Sequence, residues 1–427
     1  MIIKYSFENF FSFANETTVD LTSNAKATST RYDYQTDDGY KINKVSAIFG
    51  ANGSGKSNLL KPLAFLQWFL NSSFKSLDSD DEIPIKPHFS RTEDNISISV
   101  EFLSLPDVEN NTDPFHFKYS LELNQERVIK EELKLKSTKQ YRNIFTREFS
   151  NKSNDYNYKA NKNFFDFSLE ILSSTPQNAS LISFLNRLSD SAGKYKNISI
   201  ENEDIVAKSL VTIVSGTFEL FNSNLCLNGR IADSVDKVVF DTTKLYSADS
   251  VVFEKVSKII SEFDIGIDSL SISEEEFITE NGEKKKMKLP LAKHTHNNKQ
   301  YVLPLLYESS GTKSAYNILY SIVDILTYGG VAIIDELDND LHPRLLLETI
   351  SLFKNEETNP HHAQLIFSTH TPEVLKNLKK HHCFIVEKEN SESDVWRIDD
   401  IEGIRSQDNL YTKYMSGALG GVPMVGV

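Results

Sequence analysis

Residues Gly50–Ser57 read Gly-Ala-Asn-Gly-Ser-Gly-Lys-Ser, a full match to the phosphate-binding loop pattern G-x-x-x-x-G-K-S. The pattern works only between a buried strand and a helix. Both flanks fit. Lys44–Phe49 is a short apolar run, and Leu59, Leu63, Leu66 and Leu70 recur at helical spacing after the loop. Glycines let such a loop curl so that backbone N–H groups and the helix N-terminus face anionic oxygens. Gly50, Ala51, Asn52, Gly53, Ser54, Gly55, Lys56, Ser57 and Asn58 are therefore candidate nucleotide contacts. Lys56 would reach the β- and γ-phosphates, and the Ser57 hydroxyl would ligate Mg2+.

A chain of 427 residues accommodates two or three domains. The hydrophobic share of 39% supports a real core, and the formal charge of −14 argues against a wholesale basic face for DNA. Cys226 and Cys383 make no disulfide framework and no Cys-x-x-Cys pair, which fits a reducing cytoplasm and leaves no zinc hook. No apolar run spans a bilayer, and Met1–Phe7 reads as a strand rather than a signal peptide.

The pattern predicts a helix over 57–74. It predicts strands at Ile96–Leu103, Phe115–Leu123 and Arg127–Leu135, and a boundary in the Asn-, Lys- and Ser-rich stretch 150–165. Residues 165–262 are mostly helical in pattern. Residues 267–306 look like strands, with a turn at Asn281-Gly282. A helix begins near Ser310 with Ala315, Ile318, Leu319, Ile322 and Leu326 as its apolar stripe. Buried strands are predicted at Val331–Ile334 and Leu365–Ser368 around a helix at Pro343–Phe353. No heptad run suggests a long coiled coil.

The strand Val331–Ile334 ends in Asp335 and Glu336. Beside the loop strand it would carry Asp335 to the metal and Glu336 to the attacking water. Leu365–His370 is a further strand whose terminal His370 could face the γ-phosphate. Glu308-Ser309-Ser310-Gly311-Thr312 opens the next helix, and small residues at a helix N-terminus make an anion site. One chain cannot close two such sites on one triphosphate, so a head-to-tail pair of subunits is expected. Asp338 and Asp340 form an Asp-x-Asp pair, read as a loop touching the second subunit in preference to a metal pair.

Together these motifs resemble ABC-type ATPases of the SMC-like and OLD-like branch. Gly50–Ser57 stands as Walker A, Glu308–Thr312 as the signature, Val331–Glu336 as Walker B, Leu337–Asp338 as the D-loop and His370 as the switch histidine. Glu8–Phe13 resembles the Asn-Phe-Arg-Ser-Phe opening of the branch, with Phe11 in place of the arginine. Residues 78–100 contain no glutamine for a Q-loop. The Glu-Ser-Ser-Gly-Thr signature, Asp264–Ile267 and Tyr414–Pro423 look like stand-alone ATPase subunits of abortive-infection systems, of the RloA, AbiLi and AriA kind. The resemblance implies an α/β fold, an ABC-type P-loop ATPase head with a mostly helical insertion. Its parts would be an N-terminal lobe over 1–150, the insertion over 151–265 and a C-terminal lobe over 266–427. It implies ATP and Mg2+ as cofactors, catalysis by Glu336, His370 and Lys56, nucleotide contacts from Ser309, Ser310, Gly311 and Asp338, and metal ligands Ser57 and Asp335. It also implies a cytoplasmic head-to-tail homodimer that controls a separately encoded nuclease, possibly Toprim-type, in anti-phage defence, with a phage protein as trigger. The stretch after His370 is too short for a Toprim domain of its own. The alternatives are an SMC-like repair or chromosome ATPase acting directly on DNA, and a self-contained nuclease using Asp338 and Asp340.

His294-Thr295-His296, His361-His362 and His381-His382 read as surface loops. The basic stretch Arg127, Lys130, Lys134, Lys136, Lys139 and Arg142, and Lys284–Lys286, read as solvated faces. Phe164–Phe167 reads as core or interface.

Overall fold

A computed structural model describes residues 1–23, 28–36, 39–104, 114–137, 139–162, 165, 167–190, 205–227, 234–263, 266–278 and 284–422. At its centre lies a six-stranded sheet. Its spatial order is Phe221–Ser223, Val331–Ile334, Gln364–Ser368, Val45–Phe49, Cys383–Glu389 and Glu392–Arg397. All neighbours are parallel except the last pair. Val331–Ile334 has no exposed residue, because both faces of a parallel sheet are covered. Val331 and Ile333 enter one core, Ala332 and Ile334 the other, as the two-residue strand period requires.

The helix Lys56–Ser76 covers one face. Its Leu59, Leu63, Leu66 and Leu70 are fully buried, each stabilising by about 1.5–3 kcal/mol. They share a core with Tyr5, Phe7, Ile98 and Val100 of a seven-stranded antiparallel sheet. The Tyr5 hydroxyl donates to Leu59 O at 3.1 Å. The helix is thus held between two sheets.

On the other face, Ile322, Ile325 and Leu326 of the helix Ser310–Tyr328 pack with the helix Pro343–Ser351. The opposite side of the Ser310–Tyr328 helix buries Ala315, Tyr316, Leu319 and Val323 against the helices Val235–Ala248 and Ser250–Phe263. The sheet Ser269–Ile278, Lys284–His296, Lys299–Pro304 closes that layer.

The 151–265 stretch carries helices, and also two strands that belong to the sheets of the head. Asp155–Ala160 pairs with Gln140–Ser150, so the hairpin crosses residue 150. Phe221–Ser223 is an edge of the central sheet beside Val331–Ile333. A three-residue strand has no period to read, which is why the sequence pattern there looked mostly helical.

Candidate nucleotide site

Register puts the chemistry at one sheet edge. Ile334 lies opposite Phe367, and Ser368 opposite Ile48. The ends of these three strands therefore deliver Gly50, Asp335 and Thr369 side by side, the carboxyl edge where open α/β sheets bind ligands.

The loop after Val45–Phe49 is tightly wound. Gly55 caps the following helix at φ 114°, a conformation that favours glycine. A Cβ on Gly55 would lie 2.9 Å from Ser393 Cβ and 3.0 Å from Ser12 Oγ. Lys56 Nζ donates to Gly50 O at 2.9 Å and Ala51 O at 3.1 Å. Burial lowers the Lys56 pKa below that of an ordinary lysine, opposed by the charges of Asp335, Glu336 and Asp338. Ala51, Ser57 and Asn58 are half-buried, Asn52 and Gly53 exposed. Ser54 is buried, and its Oγ has no hydrogen-bond partner.

Two further residues lace the loop from outside, and no sequence signal pointed to one of them. Ser393 Oγ donates to Ser54 O at 2.7 Å and lies 2.8 Å from Ser12 Oγ. Asn58 Nδ2 donates to Ser12 Oγ at 2.9 Å. Ser12 belongs to the N-terminal Asn-Phe-Phe-Ser-Phe element, but Ser393 is remote from every motif. Phe11, the arginine replacement, holds φ 51°, and Lys61 Nζ sits 4.1 Å from its ring centroid, a cation–π contact.

Asp335 is held from two sides. Asn224 Oδ1 accepts its N–H at 2.8 Å and Asn224 Nδ2 donates to its carbonyl at 2.9 Å. Ser368 Oγ donates to Asp335 Oδ1 at 2.5 Å and accepts Glu336 N–H at 2.8 Å. Glu336 itself stands at φ 50°, a strained conformation costing about 1–3 kcal/mol and typical of functional sites. Its Oε1 lies 3.9 Å from His370 Nε2. The carboxylate that should orient water and the histidine at the neighbouring strand end thus face each other. Asn224 was not foreseen, since it belongs to no motif, and the sequence marked Ser368 only as the end of a buried strand.

Asp338 is engaged within its own chain. Its Oδ2 accepts from His370 N–H at 2.9 Å and from Thr371 Oγ1 at 2.9 Å. It braces the strand end that carries His370, while Oδ1 is buried without a partner. Asp340 is exposed at φ 58° and its carbonyl lies 2.8 Å from where a Cβ on Gly311 would be. Ser309 is also committed locally, its Oγ accepting Thr312 N–H at 3.1 Å as a helix cap. Ser310 is exposed at the same helix start.

His294 is no surface-loop residue. It lies in the strand Lys284–His296, with Nδ1 2.7 Å from Gly266 O and Nε2 2.9 Å from Glu308 Oε1. It thereby anchors the residue just before Ser309. His381 and His382 are buried, not exposed. Both Nε2 atoms approach Asp33 Oδ1, at 3.2 and 3.0 Å. These three are the group with metal-ligand spacing among the described residues. His382 Nδ1 accepts Lys379 N–H at 3.1 Å, so the ring proton sits on Nε2, the atom a metal would need. The cluster is a hydrogen-bonded anchor between the N- and C-terminal parts. Burial pushes the Asp33 pKa up, but the two histidines and Thr30 outweigh it and hold it well below the carboxylate range. Burial lowers that of His382. His362 packs its ring 4.4 Å from Tyr34.

Phe165 is buried among Phe145 and Phe167. Much of the basic stretch is paired: Arg127 lies over Phe149, Lys134 on Glu132 and Lys136 over Tyr40. Asp264, Ile265, Asn281, Gly282, Phe164 and Pro423, which figured in the sequence reading, lie outside the described residues.

Ser57 and Asp335 offer a hydroxyl and a carboxylate, the hard oxygen donors that Mg2+ takes. The glycine cradle and Lys56 fit a polyphosphate. A Cβ on Gly50 would lie 2.7 Å from Ser54 Oγ, so the cradle tolerates no side chain there.

No curated protein matches the chain. Solved structures similar to it include the SMC head bound to the C-winged helix domain of ScpA, at 13% identity, 92% of this chain, 97% of that one and TM-score 0.45. The SMC head domain from Thermotoga maritima is similar at 13% identity over 93% and 98%, TM-score 0.39. The SMC head with a coiled coil and joint from Pyrococcus yayanosii is similar at 10% identity over 98% and 99%, TM-score 0.44. A family model described as "AAA domain, putative AbiEii toxin, Type IV TA system" matches residues 45–376. That span runs from the first residue of the loop strand to beyond His370, so the chain belongs to this AAA-domain family and is a P-loop ATPase.

Proposed function

We propose that the protein is an ATP- and Mg2+-dependent switch of an abortive-infection system, working as a head-to-tail homodimer and controlling a separately encoded nuclease. The observation that carries the ATPase chemistry is the convergence of Lys56, Asp335, Glu336 and His370 on one sheet edge. Ser57 and Asp335 would hold Mg2+, which neutralises charge on the phosphates when bound. Glu336 accepts a hydrogen bond from the attacking water and fixes its line of approach. Lys56 and the loop N–H groups stabilise the charge that develops on the phosphate oxygens. His370 faces Glu336 and holds the water from the other side.

Gly311 lies against the Asp340 carbonyl, and Ser309 and Ser310 at the same helix start are exposed. That placement supports a signature surface serving the nucleotide of a second copy. The family description, with its toxin and toxin–antitoxin system, supports a defence role of the kind the RloA, AbiLi and AriA subunits resemble. The net charge of −14 favours a protein effector over direct DNA binding.

The test is recovery of tagged Glu336→Gln protein from its host with ATP, followed by mass spectrometry. A stoichiometric nuclease supports the reading. DNA without a protein partner replaces it by a chromosome-associated ATPase.

A further inference from the structure

We propose that Ser368 is a positioning residue that sets both acidic groups of the site through one hydroxyl, an inference that rests on the ATPase reading above. Ser368 ends the strand Gln364–Ser368 and is fully buried. Its Oγ stands between Glu336 N–H, at 2.8 Å, and Asp335 Oδ1, at 2.5 Å. The proton direction is forced. A backbone N–H can only donate, so the hydroxyl accepts from Glu336 and its single proton goes to Asp335. A separation of 2.5 Å falls in the short range of hydroxyl-to-carboxylate bonds.

Two consequences follow. The bond to Oδ1 fixes the rotation of the Asp335 carboxylate, which decides where its remaining lone pairs point for a metal. The bond from Glu336 N–H satisfies the amide of a residue held at φ 50°, where an unpaired donor would add to existing strain. The Ser368 carbonyl accepts Leu337 N–H at 3.0 Å, so one serine contacts three successive residues of the acidic turn. The Asp335 backbone is fixed independently by Asn224 on both its N–H and its carbonyl. Removing the Ser368 hydroxyl therefore frees the carboxylate and the Glu336 amide while the strand end stays in place. That separation distinguishes positioning from general support of the fold.

The experiment uses full-length wild type, Ser368→Ala, Ser368→Thr and Ser368→Cys. Two readouts are taken: steady-state ATP turnover, and Mn2+ binding by electron paramagnetic resonance with a non-hydrolysable ATP analogue. Groups that hydrogen-bond a metal ligand from outside the coordination sphere usually matter by about 10- to 100-fold, so Ser368→Ala should weaken Mn2+ binding and lower kcat by that factor. The KM for ATP should stay within about threefold, because Lys56 and the loop are untouched. Ser368→Thr keeps the hydroxyl and should restore most of both. Ser368→Cys keeps the volume but donates weakly, so it should behave like alanine and carries the test if alanine does not fold. Wild-type Mn2+ affinity in both the alanine and cysteine variants overturns the proposal, as does a threonine variant as impaired as alanine. A wild type that binds Mn2+ and nucleotide but never turns over would defeat the hydrolase reading instead, and the Mn2+ comparison would still decide the role of Ser368.

Discussion

Gly55→Ala tests how much of nucleotide binding is stored in the shape of the loop. The residue holds φ 114°, where a side chain costs about 1–2 kcal/mol. The new Cβ would also run into Ser393 Oγ and approach Ser12 Oγ at 3.0 Å. Ser393 must then move, and its hydroxyl loses Ser54 O and Ser12 Oγ, now 2.7 and 2.8 Å away. At about 0.5–1.5 kcal/mol per bond that adds roughly 1–3 kcal/mol. The total of about 2–5 kcal/mol falls on the bound-competent loop and corresponds to roughly 30- to 3,000-fold in affinity. The assay is titration of a fluorescent ATP analogue, with thermal melting as a control on global folding. Adding Ser393→Gly removes the obstruction, but the backbone strain stays and the serine's two hydrogen bonds are still lost, so the double variant should bind no more tightly than the single one. A single variant that binds within about threefold of wild type, or a double variant restored to near wild-type affinity, would refute the reasoning.

Glu336→Gln should retain ATP binding and lose about 10²- to 10⁴-fold in turnover, measured by phosphate release, because a water-orienting base contributes that much. Lys56→Ala should abolish binding of the fluorescent analogue while melting as wild type does. Arg147 and Glu131 are both fully buried and 3.7 Å apart, with Arg147 also donating to Ala179 O and Pro176 O. Arg147→Ala leaves Glu131 without its cation and should cost about 3–5 kcal/mol in urea unfolding. The Asp33–His381–His382 anchor predicts acid sensitivity. The folded pKa of His382 is lowered, so the unfolded chain binds the extra proton and stability falls as pH drops through the unfolded histidine value, near about 6.5. Asp33, also lowered, adds a second loss of the same sign below about pH 4. Melting temperature should decline between pH 7 and 5, and His382→Gln should flatten that decline; an unchanged slope counts against the assignment.

The loop strand, the helix from Lys56 and the strands ending at Ile334 and Ser368 were readable because each has its own period or motif. Apolar runs under strong burial need no partner to be recognised. The helix at Ser310, with its stripe from Ala315 to Leu326, was readable for the same reason. What local pattern could not supply was pairing across long separations. Ser393 reaches the loop from 339 residues away and His382 meets Asp33 across 349. Asn224 grips Asp335 across 111, from beside a strand too short to show periodicity.

Sequence alone decided the donor chemistry: a glycine cradle, a lysine, two carboxylates and a histidine, each at the end of a recognisable element. Tertiary structure decided how those groups are held. The register of three parallel strands brings their ends together. The left-handed turn at Glu336, the clamp of Asn224 and the shared hydroxyl of Ser368 then set their orientation. Hydrogen bonds of this kind depend on angles and on distances of a few ångströms between distant segments, and only the folded chain fixes both.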